Sequence, residues 1–290
     1  MPELPEVETI RRHLAPHVEG ERLEVLEVLD PRWCRPLGGE ELSAAVRGRV
    51  LERLGRRGKY LVLELEDDVH LMLHLRMTGT LLLERGRHPR VRFDFGGREL
   101  WFDDPRRFGT GELALGAADR DAFFAARLGL EPFDPGFTPD HLRDLARGCR
   151  APVKAFLLDQ RRIAGVGNIY ADEALFRARV HPLRHAGTLT AAQWSAVHRG
   201  ILESLEAGIA AKGATIDDFR TPDGAYGSFQ DQFLIHLREG EPCRECARPV
   251  RKLRAAGRGT YVCERCQPRP RQAAGTSSRR PPAASARASS

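Results

Sequence analysis

Tyr60-Leu61-Val62-Leu63-Glu64-Leu65 and His70-Leu71-Met72-Leu73-His74-Leu75 decide the fold. Both runs are short and apolar, and polar turns bound them, so both read as β-strands. Thr80 to Leu83, Val91 to Phe95 and Leu100 to Phe102 continue the series, with only Gly-, Asp- or Arg-rich turns between them. Strands that succeed one another without helices pair antiparallel and are buried in a sandwich or barrel. Upstream, Val7, Ile10 and Leu14 recur at helical spacing and predict a helix over 5–15. From about residue 137 the period becomes helical. Pro139 to Leu145, Val153 to Gln160, Ile169 to Arg177 and Thr190 to Lys212 read as helices. In the last of these, Trp194, Val197, Ile201, Leu205 and Ile209 make one apolar face, and Gly213 is the stop. Residues 213–231 read as a mobile loop rich in Gly, Asp and aromatics. Residues 267–290, dense in Pro, Ala, Ser and Arg, read as disordered.

The 290 residues suffice for two domains, and 41% hydrophobic content is ordinary for a soluble protein. No apolar run of about 18 residues and no basic-then-apolar leader occurs, which argues against a membrane span and a secretory signal. The net charge of +6 is unevenly spread. Residues 243–290 hold twelve of the 46 Lys+Arg and only two of the 40 acids, so residues 1–242 are net acidic. Bulk charge is therefore a weak argument for nucleic acid, and only local basic clusters can carry one. Four of the 46 basic residues are lysine, Lys59, Lys154, Lys212 and Lys252. In a chain that defaults to arginine, these are the positions where a compact ammonium is wanted.

Cys243-x2-Cys246, sixteen residues, then Cys263-x2-Cys266 has the spacing of a four-thiolate zinc site. The alternative, two disulfides, conflicts with a reducing cytosol. Pro249 to Arg254 and Thr260 to Val262 read as strands around Ala255-Ala256-Gly257-Arg258-Gly259, placing Arg258 at the tip of a zinc-held hairpin. Cys34 and Cys149 lack partner spacing and read as packing residues.

Three further segments bear on chemistry. In Met1-Pro2-Glu3-Leu4-Pro5-Glu6, removal of Met1 would expose a secondary amine on Pro2. An α-amino group titrates near roughly pH 7.7–8.0, so a useful fraction is uncharged and nucleophilic. Its attack on a sugar C1′ or an aldehyde gives an iminium, with Glu3 and Glu6 close by as proton carriers. A plainer reading is a helix start, with Pro and acids in the first turn. In Ile163 to Glu173, the Gly165-Val166-Gly167 turn opens a helix and offers backbone amides and Asn168 to an anion, or is a helix cap. In Asp104-Pro105-Arg106-Arg107-Phe108-Gly109, a turn carries a cation and an aromatic wedge two residues apart, or buries its Phe as a strand end.

Together, MPELPEVET, RRGKYL at 56–61, HLRMTG at 74–79, DPRRFG at 104–109, VKAFLLDQRRIAGVGNIYADEALF at 153–176 and GEPC with the closing cysteines resemble the formamidopyrimidine-DNA glycosylase family over about residues 1–267. The resemblance implies an α+β chain. An N-terminal antiparallel β-sandwich with flanking helices (1–133) precedes a helical domain with a helix–two-turn–helix motif (134–235), a zinc-bound β-hairpin finger (236–267) and a disordered basic tail (268–290). It implies a bacterial, cytoplasmic, nucleoid-associated monomer with one structural zinc ion, acting on double-stranded DNA that contains oxidised or abasic lesions. The implied activity is a bifunctional glycosylase and AP lyase of base excision repair, excising 8-oxoguanine opposite cytosine and formamidopyrimidines. Its Schiff base on Pro2 leads to β,δ-elimination.

Catalytic roles then fall to Pro2, Glu3, Glu6 and Lys59. Met77, Arg106 and Phe108 would fill the duplex void; Lys59, Asn168 and Arg258 would hold phosphates; Lys154 would be a further DNA contact, and Thr221 to Phe229 would cover the lesion. Arg76 stands where the family commonly has glycine, and Ile235-His236-Leu237 replaces Val-Tyr-Gly. The loop Pro222 to Gly227 is similar only in outline. An endonuclease VIII-type enzyme for oxidised pyrimidines is a second reading, opposed by Leu4 and the intact DPRRFG. A non-catalytic damage-binding paralogue is a third, opposed by the presence of Pro2, Glu3 and Lys59. Deleting residues 268–290, with their five arginines, is expected to reduce the salt dependence of duplex binding. An unchanged slope of log K against log salt would exclude the tail from the interface.

Overall fold

A computed structural model describes residues 1–215 and 221–269. Helix α1 (Leu4–Val18) is followed by two four-stranded antiparallel sheets. One has the order β1 (Val25–Val28), β6 (Pro89–Asp94), β7 (Glu99–Asp103), β5 (Thr80–Leu82). The other runs β2 (Leu51–Arg57), β3 (Tyr60–Leu65), β4 (Val69–His74), β8 (Thr110–Leu115). Leu14, Leu63, Leu73, Leu81, Phe93 and Phe102 fill the space between them. The outer faces of β3 and β4 are covered as well. Tyr60, Val62, Met72 and Ala114 pack against Phe124 of α3 (Ala117–Ala125). Burial on both faces is why these two strands read as nearly unbroken apolar runs. Helix α2 (Gly39–Val46) covers β1, burying Leu42 and Val46.

A second core is helical, built from α4 (Pro139–Leu145), α5 (Val153–Leu158), α6 (Asn168–Arg177) and α7 (Ala191–Ala210). On α7, Trp194, Val197, Ile201 and Leu205 are buried as their spacing requires, whereas Ile209 is only partly so. A β-carbon on Gly200 would lie 2.6 Å from the Ala174 carbonyl oxygen, and one on Gly208 would lie 2.5 Å from the Tyr170 ring, so glycine sets how closely α7 approaches α6. Leu4 belongs to this helical core, whereas Val7, Ile10, Leu14, Ala15 and Val18 of α1 pack on the sandwich. Strands β9 (Arg251–Ala255) and β10 (Arg258–Val262) form a hairpin.

Several expectations shift. The hairpin turn is only Ala256-Gly257, both at positive φ (51° and 71°), and Arg258 pairs with Ala255 as the first residue of β10 rather than occupying the tip. Phe229 does not belong to a covering loop; it is fully buried and stacked on Tyr170 at 5.2 Å. Pro222 accepts a hydrogen bond from the amide of Leu83, tying its segment to the end of β5. Cys34 and Cys149 are apart from the other cysteines, the former buried. Part of the loop expected over 213–231, residues 216–220, and the tail from 270 on lie outside the described residues. Among the described residues, no helix is long and apolar enough to cross a membrane.

Because Leu4 is the one buried apolar residue of α1 that inserts into the helical core, Leu4→Ala is expected to cost about 3 kcal/mol in denaturant unfolding. A change below about 1 kcal/mol would mean that the insertion contributes little.

Candidate active site

The start of the chain is fixed from several directions. The amide of Leu4 donates to the Gly165 carbonyl (3.1 Å) and that of Glu3 to Glu6 Oε2 (2.8 Å). Glu3 Oε1 accepts the amide of Ile169 (3.0 Å), one of the N–H groups that the first turn of α6 leaves without an intrahelical partner. A β-carbon on Gly167 would lie 2.2 Å from the Glu3 carboxyl carbon, so only glycine lets the acid reach this position. Glu3 is buried, and its Oε2 has no partner among the described residues.

Glu6 is saturated. Its Oε1 accepts the Tyr170 hydroxyl (2.7 Å) and the Ala214 amide (2.8 Å), and its Oε2 holds Glu3. Burial raises the proton affinity of Glu6, Glu3 raises it further, and the three donors oppose both. Burial and Glu6 push the Tyr170 phenol well above its ordinary value, so Tyr170 remains a donor. Lys59 follows Gly58 in the β2–β3 turn and is buried. Burial pulls its ammonium down from the usual lysine range, Glu3 and Glu6 hold it up, and Arg258 opposes them. No side-chain hydrogen bond occupies Lys59 among the described residues.

Pro2, Glu3, Glu6, Lys59, Met77, Arg106, Asn168 and Arg258 all line one open cleft of about 770 Å³, together with His74, Arg76, Thr78 and His236. In this structure the nitrogen of Pro2 is still in peptide linkage to Met1, which also lines the cleft. Across the cleft, Asp104 organises the turn after β7. It accepts the Thr78 hydroxyl and the amides of Arg106 (3.2 Å), Phe108 (2.8 Å) and Gly109 (2.8 Å). Phe108 is thereby left 52% exposed, with the Arg106 guanidinium 4.9 Å above its ring. The competing expectation of a buried Phe at this strand end is therefore not met. Asn168 opens α6, and its Oδ1 is buried without a partner among the described residues.

Lys154 departs from expectation. Its ammonium is fully buried and donates to Asp172 Oδ1 (2.7 Å), Thr260 Oγ1 (2.8 Å) and the Gly259 carbonyl (3.2 Å). With three N–H groups and three acceptors, nothing remains for a phosphate. Lys154 instead anchors the strand that carries Arg258. Asp172 also accepts from His236 Nδ1 (2.8 Å), and Glu173 accepts the amides of Leu234, Ile235 and His236. Sequence reasoning missed Tyr170, Asp104, His236 and this acidic pair. Tyr170 and the acids lie in the quoted 153–176 motif and Asp104 opens another, but what each bonds depends on tertiary placement.

The four cysteines of the hairpin converge. Cys243 and Cys266 Sγ are 3.9 Å apart, Cys246 and Cys263 Sγ are 3.5 Å apart, and all four sulfurs lie within 4.8 Å of one another. A tetrahedral zinc with bonds of about 2.3 Å sets its thiolates about 3.8 Å apart, so the cluster fits the ion. With four protein ligands, the site is structural.

Residues 1–111 match the formamidopyrimidine-DNA glycosylase N-terminal domain, 128–220 the formamidopyrimidine-DNA glycosylase H2TH domain, and 240–269 the zinc finger found in FPG and IleRS. A formamidopyrimidine-DNA glycosylase of Thermus thermophilus is 44% identical over 270 residues, covering 92% of this chain and 98% of its own length. The crystal structure of the MutM (Fpg) protein from Thermus thermophilus aligns with a TM-score of 0.85 at 43% identity, covering 92% of this chain and 98% of that one. A Lactococcus lactis FPG variant in complex with Fapy-dG-containing DNA aligns with a TM-score of 0.87 at 33% identity, covering 92% of this chain and all of that one.

Chelation under mildly destabilising conditions is expected to release one zinc per chain and to speed amide exchange across β9 and β10. Unchanged exchange after complete release would show that the hairpin holds without the metal.

Proposed function

This chain belongs to the formamidopyrimidine-DNA glycosylase family, and on that premise we propose that the cleft excises oxidised purines from duplex DNA and then cuts the strand at the abasic sugar. The observation that carries the reading is the placement of Glu3, buried at the head of α6 with one carboxyl oxygen unpartnered among the described residues, beside the residue that becomes the N-terminus when Met1 is removed.

The target nucleotide must leave the stack, at a cost of a few kcal/mol. Met77, Arg106 and Phe108 would fill the void, with the exposed Phe108 ring as wedge and Arg106 donating to the orphan cytosine. Lys59, Arg258 and the Asn168 amide would hold the phosphates around the extruded sugar. Once Met1 is gone, the Pro2 nitrogen attacks C1′ and the glycosidic bond breaks, its electron pair leaving with the base. Glu3 takes the proton that the Pro2 nitrogen sheds on attack and passes it to the ring oxygen, the sugar opens as the C1′–O bond breaks, and the nitrogen lone pair closes the C1′–nitrogen iminium. A base removes a C2′ proton, the C–H electron pair flows to the iminium to give an enamine, and the enamine expels the 3′ phosphate with its C3′–O electron pair; a second elimination expels the 5′ phosphate. Glu6, with both oxygens occupied, acts by position. It holds the amide of Glu3 and so fixes the residue next to Pro2.

The test incubates Met1-processed protein with a duplex carrying 8-oxoguanine opposite cytosine and borohydride, then maps the adduct. A stable crosslink on Pro2 is expected, and Glu3→Gln should slow its formation by roughly a hundredfold or more. Retained binding to the lesion duplex without any crosslink would overturn the reading.

A further inference from the structure

Arg76 has an unusual backbone for an arginine. Its φ is +55°, a left-handed conformation that L side chains rarely keep and that glycine adopts freely. The turn is nevertheless well supported. The Arg76 amide donates to His74 Nδ1 (2.9 Å), and the Gly79 amide donates to the Leu75 carbonyl (2.9 Å). Burial above all, with the charges of Arg76 and Lys59, pushes the His74 imidazole down to about 3, so its Nδ1 is a standing acceptor for that amide. A strained residue held in place at a cleft calls for a reason.

The side chain offers one. The Arg76 guanidinium is exposed, lines the cleft, and has no hydrogen bond or ion pair among the described residues. Asp104, in the turn that carries Arg106, is fully occupied by Thr78, Arg106, Phe108 and Gly109. The carboxylates of Glu3 and Glu6 are buried beneath the chain start. Around the same cleft, Lys59, Arg106 and Arg258 likewise form no ion pair among the described residues, although Glu3 and Glu6 lie near Lys59, so Arg76 adds a further cation to the lining.

We infer that Arg76 is an additional DNA-binding residue of this chain, contacting a backbone phosphate at the rim of the cleft beside Met77. The inference rests on the reading of the cleft as a lesion-DNA site. It accounts for a side chain standing where glycine would relieve the turn.

The test measures equilibrium binding to a duplex with a stable abasic-site analogue, and to the undamaged duplex, from 50 to 300 mM salt, for Arg76→Gly, Arg76→Gln and Arg76→Lys. Loss of one phosphate contact is expected to lower the slope of log K against log salt by about 0.9 in the Gly and Gln variants. Affinity should fall roughly tenfold at moderate salt, while Lys keeps the slope. Arg76→Gly should melt no lower than the parent, which separates lost contact from lost fold. Parental slopes in both the Gly and Gln variants would overturn the inference. So would a loss that varies with the base opposite the lesion at constant slope, since that assigns the side chain to a base edge. Failure of the parent protein to prefer the abasic duplex would instead count against the proposed function, and the Arg76 slopes would still be readable on undamaged DNA.

Discussion

The approach of the Glu3 carboxylate to the amide of Ile169 is the constraint on which the site depends. Three features make it possible. Gly167 has no side chain to block the acid, Leu4 is sunk into the helical core, and Glu6 holds the intervening turn from below. The first residues therefore belong physically to the helical half, while the body of α1 belongs to the sandwich. A flexible terminus would pay the entropy of ordering at each encounter with substrate; here that cost is met in folding.

Most of the fold was legible where burial was extensive. β3 and β4, covered on both faces, announced themselves as apolar runs, and α7 announced itself by its buried stripe. The strands left unread were β1, β2 and β8, and all three lie at sheet edges. An edge strand such as Leu51-Glu52-Arg53-Leu54-Gly55-Arg56-Arg57 keeps charged side chains facing water, which erases the alternation that betrays a strand and also blunts edge-to-edge pairing. Helices α2 and α3 were missed for a related reason, since two buried residues in one and a single phenylalanine in the other leave too little period to detect.

The candidate site was legible as chemistry and less so as geometry. The cysteine spacing carried its ligand set, and the motif residues gather in one cleft. Retained lysine proved a mixed signal. Lys59 is a buried ammonium without a hydrogen-bonded partner among the described residues, whereas Lys154 is committed to Asp172 and the hairpin. Both positions need a compact cation, and a sequence cannot say whether that cation faces a ligand or a neighbouring strand. The residues that sequence reasoning passed over, Tyr170 and Asp104, act through hydrogen bonds to partners that only folding brings near.

Helix α6 serves two masters. Its first turn receives Glu3, while Asp172 and Glu173 on its flank grip the segment 234–236 and the strand bearing Arg258. Ten residues long, it spans about 15 Å. A rotation of this strut would disturb the contact to Glu3 and the contacts to the strand of Arg258 together, so the two share one support. The metal clip and the chemistry some distance away are thus geared to one axle, and the sequence of α6 is bound to satisfy both ends at once.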